Sequence, residues 1–456
     1  MEFNNKRVLV VGLGKSGVAS ALFLKAHGAR VTASDTKSGD ELRNEIPMLL
    51  DHGVTVETGG HGERTFREQD LIVVSPGVPV DAPLLQQARS LGEVVIGEIE
   101  LAAQFLPGPI VAITGSNGKT TTTTLAGEIL TAAGVPTLVG GNIGTPAISL
   151  AERATPEAAI VLEVSSFQLE TIRTFHPKIA VVLNVTPDHL DRHRTLDVYV
   201  NAKARIFENQ NNNDFAVLNA DDATCVAMAE RTRAQVFWFS REKEVKQGTS
   251  VRDGQILFRD GSAQREIMQV SEIPLKGAHN LENVLAAACA AALMGCAPEK
   301  IRQAVREFKA VEHRLEFVAS IRGVDYYNDS KATNVDATIK ALESFPANIH
   351  LILGGKDKGS DYSVLNDLLR KRVKRVYTIG AAAAKIESQI VSQKAGGPEV
   401  VRAETLENAI RKASTVAQPG DVVLLAPACA SFDQFKSYEH RGRVFKEIVR
   451  GLAQGA

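Results

Sequence analysis

From Arg7 the chain reads RVLVVGLG, four consecutive apolar residues running into glycine, then the helix-like stretch GVASALFLKAHG, then RVTASD. Unbroken apolar runs of this length mark strands covered on both faces, as in a parallel sheet with helical crossovers. DLIVVSPG and VVIGEIE keep the rhythm to about residue 97, and GPIVAITGSNGKTTTT restarts it with a new strand, glycine turn and helix. AAIVLEVSS and IAVVLNVTPDH predict buried strands ending in polar residues, the position where α/β sheets place ligands. Residues 281–296 predict an alanine-rich helix, and 237–261, with turn signals and alternating apolar positions, a small antiparallel piece. Strands reappear at VDYYNDS, IHLILGG, RVYTIG and GDVVLLAPA, separated by helical patterns such as LENAIRKAST. The expected fold class is α/β in three domains, 1–97, 98–310 and 311–456.

Composition narrows the partners. A length of 456 residues fits two to four domains at roughly 100 to 200 residues each. Lys+Arg 52 against Asp+Glu 53 gives a net charge of -1, which provides no global basic field and argues against nucleic acid as the main partner. The apolar runs fall short of the ~18 residues of a membrane span, and the N-terminus lacks the apolar core of a secretion signal, so a soluble cytoplasmic protein is expected. Cys225, Cys289, Cys296 and Cys429 are scattered without a C-x-x-C and read as buried free thiols.

The sharpest chemical signal is TGSNGKTT, Thr114 to Thr121, between an apolar strand and a helix. Such a turn aims backbone N–H groups and a helix N-terminus at phosphate, with Lys119 for the terminal phosphates and Thr120 for Mg²⁺. Ile113 stands where a full G-x-x-x-x-G-K-[ST] pattern has its first glycine, yet the run Lys119, Thr120, Thr121 favours phosphate over a plain capped turn. GLGKSG, Gly12 to Gly17, followed by Asp35 at the end of the next strand, fits a diphosphate-binding turn whose nucleotide stays open. Glu163, and the cluster Asp188, His189 and Asp191, sit at strand ends as candidate metal ligands. Read alone, His189 is a turn residue and Lys203, in KARIFE, a solvated helical lysine. GAHNLEN, HRLE, NDSKATN, GGKDKG and PACASFDQF add polar turns, several carrying Lys or Arg, that suggest a large anionic substrate gripped between domains.

Together TGSNGKTT, GGNIGTP, LEVSSFQLE, NVTPDHLDRH, GAHNLEN, EHRLE, NDSKATN and LAPACASFDQF resemble the Mur ligases of peptidoglycan synthesis, in the branch that adds D-glutamate, over nearly the whole chain. The resemblance implies a Rossmann-like N-terminal domain for a UDP-sugar, a central P-loop ATPase domain and a Rossmann-like C-terminal domain that receives the amino acid. It implies ATP contacts from Gly115, Ser116, Asn117, Gly118, Lys119, Thr120, Thr121, Asn280, Arg314 and Asp329. Two magnesium ions would be held by Thr120, Glu163, His189 and Lys203, the last as a CO₂-derived carbamate, with Lys119, Glu163, His189 and Lys203 forming the catalytic set. Gly14, Lys15, Ser16, Asp35, Thr36, Lys37, Ser75, Gly77 and Asn142 would contact UDP-N-acetylmuramoyl-L-alanine. Lys331, Thr333, Lys358, Ser431 and Tyr438 would surround D-glutamate. Lys37 replaces the family's arginine in the uridine loop, and Tyr438 its phenylalanine in the glutamate pocket.

The implied reaction is ATP-dependent amide formation through an acyl phosphate, by a monomer that uses small molecules. A ligase for another amino acid, or a folylpolyglutamate synthase, would share the ATP chemistry. An NAD-dependent oxidoreductase would leave GKTT idle, and a non-catalytic scaffold would not need Lys119, Glu163, His189 and Lys203 together.

Overall fold

The computed structural model describes residues 2–67, 69–261, 263–309, 311–391 and 396–454. The expected edge between 310 and 311 touches Ala310, which lies outside the described residues, as do Met1 and the last two residues. Its internal packing divides the chain into two compact units, 1–272 with 282–306, and 273–281 with 307–456.

The first unit contains two sheets. One has five parallel strands in the order Thr55–Glu57, Arg30–Ser34, Arg7–Val11, Leu71–Val74, Val95–Gly97. The pleat explains the unbroken apolar run. Val8 and Val10 enter one buried cluster with Leu24 and Val31, while Leu9 and Val11 enter the opposite one with Phe66, Ile72 and Leu85. The order reverses beside Arg7–Val11, so the crevice for a ligand opens at its C-terminal end, over GLGKSG.

The other sheet has nine strands, with Ile110–Thr114 third from one edge between Ile179–Val182 and Ala159–Glu163, and Thr137–Gly141 at that edge. The expected antiparallel piece continues this sheet: Phe215–Asn219, Gln235–Ser240 and Gly248–Arg252 pair in parallel, and only Gln255–Asp260 and Ala263–Gln269 run antiparallel. The alanine-rich helix forms over Ala278–Leu293, with Ala286 to Ala291 at most 1% exposed.

Two carboxylates opening the helix Glu98–Ala103 are buried side by side with opposite treatment. Glu100 accepts from the backbone N–H of Arg173, Thr174 and Phe175 and from the Thr174 hydroxyl, so its charge is fully solvated by protein. Glu98 accepts from Ile148 N at 2.7 Å, but its second oxygen has no partner. Burial pushes the Glu98 carboxyl up from 4.5 to about 7. The native state therefore binds an extra proton between these values, and stability falls as pH rises through that window. At pH 8 the full cost is present, at most about 3 kcal/mol. Glu98→Gln is expected to raise the melting temperature at pH 8 and to leave it unchanged at pH 4, read by thermal denaturation across pH.

The second unit carries a six-stranded sheet in the order Glu316–Ile321, Val324–Asn328, Val422–Leu425, Ile349–Gly354, Val373–Ile379, Glu399–Glu404, parallel except for the first pair. The segment 273–281 belongs to this unit through Lys276, whose ammonium donates to the Tyr327 hydroxyl at 2.7 Å and lies over the Tyr327 and Phe345 rings. All four cysteines are buried and unpaired, as expected. No described helix is long and apolar enough to cross a membrane.

Candidate active site

The strand Ile110–Thr114 delivers its chain into the turn 115–118, and the helix Lys119–Ala132 begins at once. Gly118 has φ +85°, and a Cβ there would lie 2.2 Å from Asn283 Oδ1, so the turn excludes any larger residue. Gly118 caps the helix without a side-chain hydrogen bond, and the helix N-terminus directs positive potential at the turn, as suits an anion. Lys119 Nζ folds back onto the carbonyls of Gly115 and Ser116, each at 2.8 Å. Ser116 and Asn117 are tied to the next strand end, Ser116 Oγ to Thr186 O at 2.9 Å and Asn117 N to Asn184 Oδ1 at 2.9 Å. Thr121, one residue beyond Thr120, is buried in the first turn of the helix.

Glu163 ends the strand beside Ile110–Thr114 and is 1% exposed. Its Oε2 accepts from Thr120 Oγ1 at 2.8 Å and its Oε1 from Asn142 Nδ2 at 2.9 Å. One carboxylate thus joins the phosphate turn to the GGNIG loop. A Cβ on Gly141 would lie 2.3 Å from the Glu163 carbonyl, which is why the loop approaches through glycine.

Lys203 is not a solvated lysine. It is 1% exposed, donates to Gly115 O at 2.8 Å, and lies 4.5 Å above the Tyr199 ring. Burial, then the nearby Lys119 ammonium, pulls its pKa well below the ordinary lysine value, with Asp188 and Glu163 opposing. His189 adopts a left-handed conformation, φ +53°. Its imidazole meets Asp188 at 3.6 Å and packs edge-on with the Phe167 ring.

At the crevice of the first sheet, Asp35 bonds the turn itself, Oδ2 accepting from Leu13 N at 2.6 Å and Oδ1 from Lys37 N at 2.9 Å. Ser75 Oγ donates to Gly12 O at 2.7 Å, and a Cβ on Gly17 would lie 1.8 Å from the same carbonyl. Gly14, Lys15, Thr36, Lys37 and Gly77 are exposed around it, with Ser16 half-buried.

In the second unit, Lys331 Nζ lies 4.9 Å over the Tyr438 ring, and Thr333 N donates to Lys331 O. Lys356 and Ala430 pair backbone to backbone, which puts Lys358 and Ser431 on adjoining loops. Arg314 Nε and Asp329 Oδ1 are buried without hydrogen-bond partners, and burial raises the Asp329 carboxyl to about 6 against the pull of Arg314. Such orphaned groups fit a polar ligand not supplied by the chain. Asn280, in the first turn of Ala278–Leu293, donates to Lys276 O at 2.6 Å.

Three residues that sequence reading passed over belong to these sites. Tyr199 shares a helix face with Lys203 at i, i+4, and its hydroxyl meets Ser116 Oγ at 3.2 Å; that spacing was an available signal. Asn283, three residues after Asn280, accepts from Thr122 Oγ1 at 3.2 Å. Arg192 bonds both Val78 O at 2.9 Å and Glu170 at 3.2 Å, tying DHLDRH to the loop after Leu71–Val74.

The profile of the Mur ligase MurD-like N-terminal domain matches residues 6–97, that of the Mur ligase middle domain 113–291, and that of the Mur ligase glutamate ligase domain 313–429. The chain belongs to the Mur ligase family, ATP-dependent amide-forming enzymes. Within that family it is 67% identical to a UDP-N-acetylmuramoylalanine–D-glutamate ligase of Koribacter versatilis, covering 100% of this chain and 99% of that protein. It is 58% identical to the ligase of the same name from Acidobacterium capsulatum, over 99% and 98%. The fold is shared with a pseudomurein peptide ligase type C of Methanothermus fervidus, TM-score 0.62 at 20% identity over 98% and 100% of the chains. A UDP-N-acetylmuramate–alanine ligase of Thermotoga maritima gives 0.60 at 19% over 98% and 100%.

Proposed function

We propose that the chain joins D-glutamate to UDP-N-acetylmuramoyl-L-alanine at the expense of ATP, through an acyl phosphate, in cytoplasmic assembly of the peptidoglycan precursor. The observation that carries this reading is Glu163, where the phosphate turn, through Thr120, and the sugar-nucleotide loop, through Asn142, meet on one carboxylate. The L-alanyl carboxylate attacks the γ-phosphate of ATP, breaking the β–γ P–O bond and releasing ADP, and the neutral D-glutamate amine then displaces phosphate from the acyl carbon, losing a proton as the amide forms. Lys119 and the helix N-terminus neutralise phosphoryl oxygens, and Arg314, Asp329 and Asn280 receive the rest of the nucleotide. The work is mostly positioning and electrostatic stabilisation.

The residues fit magnesium. Among the described residues no three His, Cys, Asp or Glu side chains gather into a metal cluster. Mg²⁺ bound with substrate phosphates needs only one or two protein oxygens besides water, and Thr120 and Glu163 present them 2.8 Å apart. Bound there, the ion supplies further charge neutralisation. His189 and Lys203, the latter carbamylated, complete the proposed ligand set.

Incubation with ATP, Mg²⁺, UDP-N-acetylmuramoyl-L-alanine and either enantiomer of glutamate, with mass measurement of the product, tests this. A glutamyl adduct with the D-form alone is expected; an adduct with L-glutamate, or only with another amino acid, would overturn it. Ser431→Ala is expected to raise the KM for D-glutamate about tenfold, as loss of one hydrogen bond to a charged group does, while the KM for ATP stays within about twofold. A change confined to ATP would place Ser431 at the other substrate.

A further inference from the structure

Arg441 heads the largest fully buried side chains, at 0% exposure, and no described carboxylate forms an ion pair with it. Its five N–H donors are all used, and every acceptor is neutral. Nε donates to Ser330 Oγ at 3.0 Å, and Nη2 to Ser330 O at 2.8 Å and Cys429 O at 3.2 Å. Nη1 donates to Cys429 O at 3.2 Å and, more weakly, to Ala430 O at 3.5 Å. A third loop reaches it as well, since a Cβ on Gly355 would lie 3.2 Å from Nη1. The guanidinium therefore sits beneath the loops that present Lys331, Ser431 and Lys358, each within one to three residues of an atom it touches. Ser330 Oγ passes the tie to Tyr438 O at 2.8 Å.

Burying a guanidinium costs several kcal/mol unless an anion compensates it. Asp433 favours the charged form through its field without pairing with it, and the acids of these loops make their hydrogen bonds and ion pairs elsewhere. Asp433 accepts from Ala381 N at 2.9 Å, Asp357 pairs with Lys385 at 2.7 Å, and Glu439 lies in the field of Lys331. Burial lowers the guanidinium only to about 10, so it keeps its charge at neutral pH. A cation held by neutral oxygens, with the field of Asp433 acting on it but no ion pair formed, thus lies under loops that also carry Lys331 and Lys358.

We propose that Arg441 is the positioning residue that sets the preference for a doubly negative amino acid, locking the Lys331, Lys358 and Ser431 loops together and adding its charge to the field that meets the substrate's second carboxylate. This rests on the assignment of those loops to D-glutamate. It adds a group that never touches the substrate yet distinguishes glutamate from its neutral amide.

The test uses the full chain with Arg441→Met, Arg441→Lys and, as a control on the pocket, Lys358→Ala. Arg441→Met is expected to raise the KM for D-glutamate about tenfold or more, to keep the KM for ATP and for the UDP-sugar within about twofold, and to shrink the kcat/KM ratio of D-glutamate over D-glutamine about tenfold. Arg441→Lys, which keeps the charge but loses the fork, is expected to restore most of that ratio and less of the KM. Should Arg441→Met fail to fold by circular dichroism, Arg441→Gln, which removes the charge and keeps part of the hydrogen bonding, replaces it with the same expected tenfold loss of the ratio and the same overturning result. A uniform rise in all three KM values, or an unchanged ratio in a folded Arg441→Met, overturns the proposal while a weakened Lys358→Ala leaves the pocket assignment standing. A D-glutamate KM untouched by Lys358→Ala overturns both.

Discussion

Lys119→Ala is expected to abolish measurable phosphate release while the protein keeps its fold. The ammonium is held over the turn by the carbonyls of Gly115 and Ser116, so the charge is positioned before ATP arrives. Alanine leaves the helix Lys119–Ala132 intact, because Lys119 is its first residue and contributes nothing to the buried apolar clusters. Removing one preorganised electrostatic donor costs on the order of 10² to 10³ in rate, and a lysine that meets the terminal phosphates should cost at least that. The measurement is single-turnover phosphate release beside a melting curve. A folded variant with near-normal release would remove the phosphate turn from the mechanism.

Lys203→Ala should lose comparable activity, with a distinctive rescue. An ordinary lysine titrates near about 10.4, and its ammonium would repel magnesium at a phosphate site. Burial and the field of Lys119 favour the neutral amine here, and neutral amine is the form that adds CO₂. The carbamate so formed reverses the sign and offers hard oxygen ligands on a long stem. In its unmodified form the amine donates to Gly115 O and lies over the Tyr199 ring, two neutral partners. Acetate is accordingly expected to restore part of the activity of Lys203→Ala, and Lys203→Arg to remain inactive. Activity that survives exhaustive bicarbonate removal, together with an unmodified mass for the Lys203 peptide, would exclude carbamylation.

What could be read without coordinates follows the range of each interaction. Strands such as Arg7–Val11 were legible because burial on both faces writes an unbroken apolar run. The phosphate turn was legible because its parts lie within eight residues, Thr114 to Thr121. The extension of the central sheet from Gln235 to Gln269 was not, since strand pairing depends on partners that periodicity does not name. Lys203 reads as a solvated cation in KARIFE and is instead buried, donating to the Gly115 carbonyl 88 residues away. Arg441, which the sequence does not single out, is buried in the same manner against the Ser330 carbonyl 111 residues away. Conversely Asp35 occupies the expected strand end but spends its oxygens on Leu13 and Lys37 amides, shaping the turn.

Excision at residue 311 would split the C-terminal folding unit, because the nine residues 273–281 pack within it. Tyr327 and Phe345 would lose the Lys276 ammonium from their ring faces, and Ser344 the close backbone of Gly277. The unit is discontinuous in the gene, interrupted by 282–306, which fold elsewhere. Exchange of this segment between homologous ligases therefore has to carry 273–281 along with the C-terminal region, so a recombination crossover placed at the end of the middle region would pair a Lys276 from one parent with a Tyr327 from another.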